Sequence, residues 1–194
     1  MVMAFDTSVV CPVLIGRAAS LASFARVFEL VKSGQGHTVL VSGEAGIGKS
    51  RLVAEARARA GPEQVCFLQG ACFEQDRALP FAPLLDLSRS LLLTGSREAF
   101  LPHLAPFAPE LIKLLPDLAI FLPDVRPTPV LEPGQEKRRF FAALTHCLLG
   151  LAEPRPLLLV IEDLHWSDDT SLEFLLGLAR HLRSPAAAAA HLSR

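Results

Sequence analysis

An eight-residue glycine-rich segment constrains the fold of this 194-residue chain more than any other feature. The segment matches the pattern G-x-x-x-x-G-K-[ST] at every defined position, and it consists of Gly43, Glu44, Ala45, Gly46, Ile47, Gly48, Lys49 and Ser50. Glycines let the backbone of such a loop curl until successive N–H groups point inward, and the helix that follows adds its positive N-terminal end. The sequence therefore predicts a phosphate-binding loop between a strand and a helix.

The side chains of the loop predict how a nucleotide is bound. Lys49 is placed to reach the β- and γ-phosphates, and the hydroxyl of Ser50 is placed to ligate Mg²⁺. We assign the whole loop to nucleotide binding, together with Arg51, which follows it directly. A glycine-rich turn without a ligand is the alternative, and the character of the flanking segments argues against it.

The flanking segments have the sequence patterns of a strand and a helix. Residues 38–42 are β-branched and apolar, which predicts a buried strand, and residues 51–57 are good helix formers. Apolar residues recur at helical spacing over 18–32, so we expect an amphipathic helix packed on the sheet. A second short buried strand is expected at 65–68.

Two acidic residues follow the apolar run at 157–161, which is typical of a strand covered on both faces. In a phosphate-loop protein the first of them, Glu162, would help to hold Mg²⁺, and Asp163 would orient or deprotonate the attacking water. Acids also commonly mark strand ends. The combination with the phosphate loop favours the metal site, with Ser50 and Glu162 as its protein ligands and Asp163 as the catalytic residue.

The remaining segments predict helices and turns. Residues 102–133 contain eight of the fifteen prolines, so we expect short helices and turns that form an insertion across the domain. Helical spacing returns from residue 136, which predicts a helix that ends near residues 153–154. Thr170 and Glu173 have the spacing of a capping box, which predicts that Thr170 caps the last helix.

Composition limits the classes of function. A formal charge of −1 with only four lysines leaves no basic excess of the kind that binds nucleic acids or anionic membranes. No apolar run reaches the roughly 18 residues of a membrane span. No secretory signal precedes the cysteines, which form no C-x-x-C pair and are Cys11, Cys66, Cys72 and Cys147. We therefore expect a cytoplasmic protein with reduced, buried thiols, without direct nucleic-acid binding and without a membrane partner.

Several segments together resemble a known family. They are residues 14–17 (Leu-Ile-Gly-Arg), 42–52 around the loop, 70–76, 80–84, 137–144 and 160–168 (Val-Ile-Glu-Asp-Leu-His-Trp-Ser-Asp). They are similar to the AAA-type ATPase domain of STAND regulators, which include the large LuxR-type transcriptional regulators. The resemblance covers residues 13 to about 183. It implies a three-layer αβα phosphate-loop NTPase fold with a parallel sheet, spanning 13–194 after an N-terminal extension at 1–12.

The function that this resemblance implies is an ATP-dependent conformational switch. Its ligands would be ATP and Mg²⁺, its hydrolysis would be slow, and effector domains of a larger signalling or transcriptional protein would read its state. Such a switch allows nucleotide-dependent self-association. In the family the apolar-Gly-Arg segment lies against the adenine, which makes Ile15, Gly16 and Arg17 candidate base contacts. Two alternatives stay open: a work-performing ring ATPase, which requires an arginine supplied between subunits, and a truncated remnant whose fold cannot close.

Three features depart from the family pattern. Ala18 stands where the family usually has an acid, and Glu162 stands where Asp is commoner. The family continues with an apolar strand, whereas residues 185–194 are rich in alanine, a poor strand former. We therefore expect the domain to be incomplete at its C-terminal side. Near the acids, His165 is expected to pack under the metal-site strand and Trp166 to anchor its loop in the core.

Overall fold

The computed structural model of the chain describes residues 16–61, 64–93, 97–113, 116–120, 122, 124–126 and 128–182. Its helices are α1 (Ala18–Lys32), α2 (Lys49–Ala60), α3 (Ala82–Leu93), α4 (Arg97–Leu104), α5 (Ala108–Leu111), α6 (Pro133–Leu151) and α7 (Asp169–Leu182). Its strands are β1 (Cys66–Ala71) and β2 (Leu157–Glu162). Single 3₁₀ turns lie at Glu74–Asp76, Ala105–Phe107, Pro116–Ile120 and Leu164–Trp166. The expectations for Cys11, for Ile15, for residues 1–12 and for residues 185–194 lie outside the described residues.

Two parallel strands form the sheet in the described part of the chain. The register runs from Cys66 opposite Leu157 to Ala71 opposite Glu162. This pairing confirms the strands predicted at 65–68 and 157–161, and it agrees with an α/β fold built on a parallel sheet. Because parallel strands end at the same edge, Glu162 lies beside the chain that leaves β1, and its carbonyl oxygen accepts a 3.0 Å hydrogen bond from the Cys72 amide.

A large hydrophobic core surrounds the two strands. It includes sixteen of the described residues, which come mainly from β1, α3, α5 and α6. Leu68 of β1 and Leu111 of α5 are fully buried, and Phe174 of α7 is 2 % exposed. The helix α3 packs so closely on β1 that a Cβ at Gly70 would lie 2.7 Å from the carbonyl oxygen of Pro83. Only glycine fits this position without a shift of the backbone.

The cysteines of the described residues are free and buried, as the sequence predicts; they are Cys66, Cys72 and Cys147. Burial raises the pKa of the Cys147 thiol to about 12, so this side chain stays neutral at physiological pH and packs as a small apolar group. Within the described ranges, none of the helices combines the length and the apolar character that crossing a bilayer requires.

The proline-rich region forms short helices and turns, as expected, and an ion pair fixes its last part. Lys113 Nζ donates a 2.6 Å hydrogen bond to Glu136 Oε1 and a 3.1 Å bond to the carbonyl oxygen of Pro129. Glu136 Oε1 also accepts a 2.9 Å bond from the Leu131 amide. These hydrogen bonds hold the pKa of Glu136 below its usual value, the Lys113 bond contributing most. The carboxylate therefore joins α6 to the loop that precedes it.

The segment before the phosphate loop differs from the prediction. Residues 38–42 form no strand, Val39 is 47 % exposed and Leu40 is 78 % exposed. A strand requires a neighbour that accepts and donates its backbone hydrogen bonds, and none of the described segments pairs with these residues. The prediction of a buried strand here was therefore wrong for the described structure, although Val41 packs against a small cluster on α1 and α2.

The helix α1 packs on a different partner from the one predicted. Three buried residues form the small cluster, Leu21 of α1 with Leu52 and Ala56 of α2, and Phe24 and Phe28 pack against them. The helix α1 has the predicted bounds, but it packs chiefly on α2 rather than on the sheet. The phosphate-loop helix therefore has a hydrophobic core of its own.

The start of the last helix also differs from the prediction. The helix α7 begins at Asp169, and Asp168 Oδ1 accepts a 2.9 Å hydrogen bond from the Ser171 amide. Asp168 is therefore the capping residue, and the expected capping box of Thr170 and Glu173 is wrong. The carboxylate of Glu173 instead pairs with Lys137 at 2.8 Å, which joins α7 to α6.

Candidate functional site

The phosphate loop has the curled backbone that its glycines predict. Gly46 and Gly48 have φ angles of 77° and 90°, a left-handed conformation that a side chain would strain. The Ile47 amide donates a weak 3.4 Å bond to the carbonyl oxygen of Glu44, and this bond closes the turn. Gly48 is the N-cap residue of α2, and the Leu52 amide bonds its carbonyl oxygen at 3.0 Å as the helix begins. The loop therefore leads directly into the N-terminus of α2.

The N-terminus of α2 carries no negative group of its own. Its first turn has no acidic residue, and no side chain caps its amides. Ser50 lies in this turn and is exposed, and Arg51 beside it is half-buried. Because the first amides of a helix carry a partial positive charge and need acceptors, this end suits an anion.

Lys49 folds back over the loop. Its Nζ donates hydrogen bonds to the carbonyl oxygens of Gly43 and Glu44, both at 3.0 Å. Both acceptors are neutral, so a phosphate oxygen would bind the ammonium more strongly than either of them does. A phosphate bound at this loop would therefore replace the two carbonyl oxygens as the acceptor of Lys49.

The side chain of Arg17 reaches the loop although Arg17 is far from it in sequence. Gly16 has a φ of 76°, Arg17 is the N-cap residue of α1, and Arg17 Nη2 donates a 2.7 Å bond to the carbonyl oxygen of Ile47. Of the predicted base-contacting residues, the structure thus brings the Arg17 side chain to the phosphate loop. The motif alone gave no signal that the guanidinium group bonds the loop itself.

The two acids lie at the end of β2. Glu162 is the last residue of the strand and is half-buried, whereas Asp163 is exposed. Asp163 has a left-handed backbone, with φ 52° and ψ 41°, and its carbonyl oxygen accepts a 2.9 Å bond from the Trp166 amide. Residues other than glycine adopt this conformation mostly as Asp or Asn, often at functional sites. The backbone therefore turns sharply at the predicted catalytic residue.

Buried polar side chains lie behind the two acids, and sequence reasoning missed most of them. Burial raises the pKa of the Cys72 thiol, and a hydrogen bond with Ser167 lowers it in part. The nearby negative charges of Asp168, Asp163 and Asp86 raise the pKa further. The carboxylate of Asp86 accepts a 2.9 Å bond from the Ala71 amide at the end of β1. The strand ends and the turn after β2 are thus joined through Cys72, which stays a neutral thiol. Only the acid at 168 gave a sequence signal.

His165 and Trp166 differ in part from the expectation. His165 is exposed, so the prediction that it packs under the metal-site strand was wrong. Its ring lies 4.8 Å from that of Trp166, which is half-buried in the same 3₁₀ turn. The turn directs its first side chain, Leu164, and Trp166 toward the protein and leaves the histidine in solvent.

The donor set fits a magnesium ion that is bound mainly through a nucleotide. The described residues contain no group of three or more His, Cys, Asp or Glu side chains that could hold a metal alone. Magnesium usually takes one or two protein ligands and completes its shell with phosphate oxygens and water. Ser50 is exposed at the loop and Glu162 is half-buried at the strand end, and each offers one oxygen ligand of the kind that magnesium takes.

Comparison with known proteins gives one family. The profile of a family described as the AAA ATPase domain matches residues 13–191. The chain is similar to an uncharacterized protein of Rhizobium meliloti (strain 1021), with 28% identity over 176 residues. The aligned segment is 86% of this chain and 17% of that protein, so the chain spans about a sixth of the length of its relative. No solved structure matches the chain.

Proposed function

Because the chain belongs to the AAA ATPase domain family, we propose that it binds Mg²⁺·ATP and serves as a slow regulatory switch within a longer protein. Family membership by itself implies a phosphate-loop NTPase domain that binds nucleotide. The observation that carries the proposal is the curled loop ahead of α2, with Lys49 Nζ bonded to the neutral carbonyl oxygens of Gly43 and Glu44, which a phosphate oxygen can replace.

We propose the following roles for the residues of the site. The loop amides and Lys49 bind the phosphates, and Arg51 in the first turn of α2 supports this site. Ser50 and Glu162 hold Mg²⁺, which supplies charge neutralisation to the phosphates, and Asp163 orients or deprotonates the attacking water. The segment of Ile15, Gly16 and Arg17 borders the adenine. The bond from Arg17 to the loop supports this neighbourhood, because it brings the start of α1 to the nucleotide site.

A regulatory role is supported by the packing around the loop. The small cluster that carries α2 contains three buried residues, so its local stability is low. A ligand stabilises the state that it binds by RT ln(1 + [L]/Kd), which is about 2.7 kcal/mol at a hundredfold excess over Kd. Nucleotide binding can therefore change the order of this region substantially. We propose that effector domains of a STAND-type or large LuxR-type regulator respond to that change.

The wider setting of the switch is also a proposal. The relative is about six times as long as the aligned segment, which supports a longer protein with further domains. The free, buried thiols favour the reducing cytoplasm. The charge of −1 argues against direct nucleic-acid binding by this segment.

Titration calorimetry with Mg²⁺·ATP and a phosphate-release assay test the proposal. The wild-type chain should bind ATP and hydrolyse it slowly, and Lys49→Ala should weaken binding by about 100-fold or more, because a charged partner of the phosphates is lost. Lys32→Ala is the matched control, since Lys32 is an exposed lysine at the end of α1 that pairs with Glu29 across one turn. The control should bind as the wild type does.

The other outcomes identify the alternatives. Wild-type affinity in Lys49→Ala would remove the phosphate-loop assignment. Fast turnover that rises with protein concentration would indicate a ring ATPase that supplies an arginine between subunits. Absence of both ATP binding and a cooperative thermal transition in the wild-type chain would indicate a remnant.

A further inference from the structure

The guanidinium group of Arg17 bonds the phosphate loop from outside its motif. Nη2 donates a hydrogen bond to the carbonyl oxygen of Ile47 at 2.7 Å, although the two residues are 30 positions apart in sequence. The donor carries a charge and the acceptor is neutral, which makes the bond stronger than one between two neutral groups. The bond reaches the middle of the motif, between its second and third glycines.

This contact fixes the direction of a loop amide. The peptide group that joins Ile47 to Gly48 is planar and trans, so its C=O and its N–H point to opposite sides. While Arg17 holds the oxygen on one side, the Gly48 N–H points away from Arg17. Gly46 and Gly48 lie on either side of Ile47 with positive φ, and glycine leaves such a peptide free to rotate. An external hydrogen bond is what restricts that rotation.

Arg17 is itself fixed by the small core beneath the loop. The Leu21 amide bonds the carbonyl oxygen of Arg17 at 2.9 Å, in the first turn of α1. Leu21 is 5 % exposed and packs with Leu52 and Ala56 of α2. The helix that holds Arg17 and the helix that follows the loop are therefore packed together, and the guanidinium bond connects them a second time.

The bond of Arg17 differs from the bonds of Lys49. Lys49 uses its ammonium on carbonyl oxygens at the start of the loop, and a phosphate would replace them as its acceptor. The acceptor of Arg17 belongs to a peptide group whose N–H faces the other way, so a phosphate bound by that N–H does not compete for the arginine. The Arg17 bond can persist when the loop is loaded.

We propose that Arg17 is a positioning residue that orients the Ile47–Gly48 peptide group for phosphate binding, and that its effect on affinity acts through the triphosphate and not through the base. The proposal rests on the proposed nucleotide binding of the loop. This role of Arg17 is independent of any contact with the adenine.

The test separates triphosphate binding from base recognition. Calorimetry with Mg²⁺·ATP, Mg²⁺·GTP and Mg²⁺·tripolyphosphate is carried out on the wild-type chain and on Arg17→Ala, Arg17→Lys and Arg26→Ala. Arg17→Ala should weaken ATP and tripolyphosphate by the same factor, about three- to tenfold, because one exposed charged hydrogen bond is lost. The ratio of ATP to GTP affinity should not change. Arg17→Lys keeps a cationic donor and should recover part of the loss.

Arg26→Ala controls for the loss of an arginine from the same helix, since Arg26 is exposed on α1 and should behave as the wild type. Thermal melts of all variants show whether the fold is kept. If Arg17→Ala melted early, Arg17→Gln, which keeps a neutral donor, would take its place and should show an intermediate loss of tripolyphosphate affinity.

Two results would overturn the inference while leaving the proposed function intact. One is an unchanged tripolyphosphate affinity in Arg17→Ala; the other is a loss that changes the ratio of ATP to GTP, which would assign Arg17 to the base. A wild-type chain that bound neither ATP nor tripolyphosphate would overturn the proposed function itself, and the role of Arg17 with it.

Discussion

The two hydrophobic cores of the molecule differ greatly in size, and each carries one part of the proposed site. The large core contains sixteen of the described residues, mainly from β1, α3, α5 and α6, and partly buried residues of β2 and α7 pack against it. The small core joins α1 to α2 through three residues. Fully burying one apolar side chain contributes roughly 1.5–3 kcal/mol, so the difference between the two cores amounts to many kcal/mol.

The residues proposed for nucleotide binding and those proposed for hydrolysis lie on different cores. The phosphate loop and Arg17 belong to the weakly packed region, whereas Glu162 and Asp163 end a strand of the large core. Binding residues therefore lie where a ligand can add much to local stability, and the residues proposed for hydrolysis lie on a rigid support. If this comparison is right, substitutions in the two regions should affect different measurements.

The largest effect is expected on hydrolysis. Asp163→Asn should lower the turnover of ATP by about 10²–10⁴-fold and leave Mg²⁺·ATP affinity nearly unchanged, because the amide still holds water but cannot accept its proton. Asparagine tolerates the left-handed backbone at this position, so the fold should be kept. Calorimetry and single-turnover assays measure the two quantities. If Asp163→Asn lost Mg²⁺ dependence while Glu162→Gln lost only turnover, the roles of the two acids would have to be exchanged.

The next effect is expected on the stability of the large core. Phe174 is 2 % exposed and its ring lies 5.3 Å from that of Phe141. Phe174→Ala should lower the free energy of unfolding by about 3–5 kcal/mol, because it leaves a cavity in packed surroundings. Leu176→Ala on the same helix is the control, since Leu176 is 52 % exposed and should cost less than about 0.5 kcal/mol. Urea denaturation measures both, and equal losses would contradict the packing described for α7.

A smaller and different effect is expected in the small core. Leu52 is 4 % exposed and packs with Leu21. Leu52→Ala should cost about 2 kcal/mol locally, which is the lower end for such substitutions because the site can collapse. Mg²⁺·ATP affinity should therefore fall while the main thermal transition moves little. A large downward shift of that transition would show that the two cores unfold together and would remove the distinction between the regions.

The sequence predicted the elements that local patterns define. Helical spacing over 18–32 predicted α1, which has the bounds Ala18–Lys32, and the apolar run at 157–161 predicted β2. The loop glycines predicted a curled backbone, and Gly46 and Gly48 have positive φ angles in the structure. Each of these signals lies within one segment, and the local backbone preference decides the result.

The failures concern contacts between distant segments. Residues 38–42 have strand-forming side chains, but strand formation depends on a neighbour that the sequence of the segment does not specify. Whether His165 is buried depends on how its turn lies on the protein. The bond from Arg17 to Ile47 crosses 30 residues, and no periodicity reports it. Sequence reasoning thus proposed the site residues but did not predict the contacts around them.

The start of α7 offers a prediction of about 1 kcal/mol. Asp168 is 7 % exposed, and its Oδ1 bonds the Ser171 amide, while Oδ2 has no partner among the described residues. Asp168→Ala should lower the free energy of unfolding by about 1 kcal/mol through loss of the cap. Thr170→Ala should change it little, whereas a capping box would make Thr170 the important residue. Urea denaturation of the two variants decides between them. A larger loss in Thr170→Ala would restore the capping box.

The smallest effect is expected at acid pH, at the proline-rich loop. Hydrogen bonds from Lys113 and from the Leu131 amide lower the pKa of Glu136 from its ordinary value of 4.5. Because the folded-state pKa is depressed, the stabilisation by this carboxylate is present above pH 4.5 and is lost as the pH falls through the folded-state pKa.

Hydrogen exchange of the Leu131 amide, followed as the pH is lowered, measures the loss of this stabilisation locally. Its protection should fall in the wild-type chain over that range, after correction for the intrinsic exchange rate. In Glu136→Gln the protection should be weaker at neutral pH and should change little with pH, since the amide oxygen still accepts a bond but carries no charge. Glu153→Gln, an exposed glutamate after α6, controls for the change in net charge. Equal pH dependence in Glu136→Gln and the wild type would mean that another acid holds the loop, and the effect should in any case weaken in high salt because Glu136 is partly exposed.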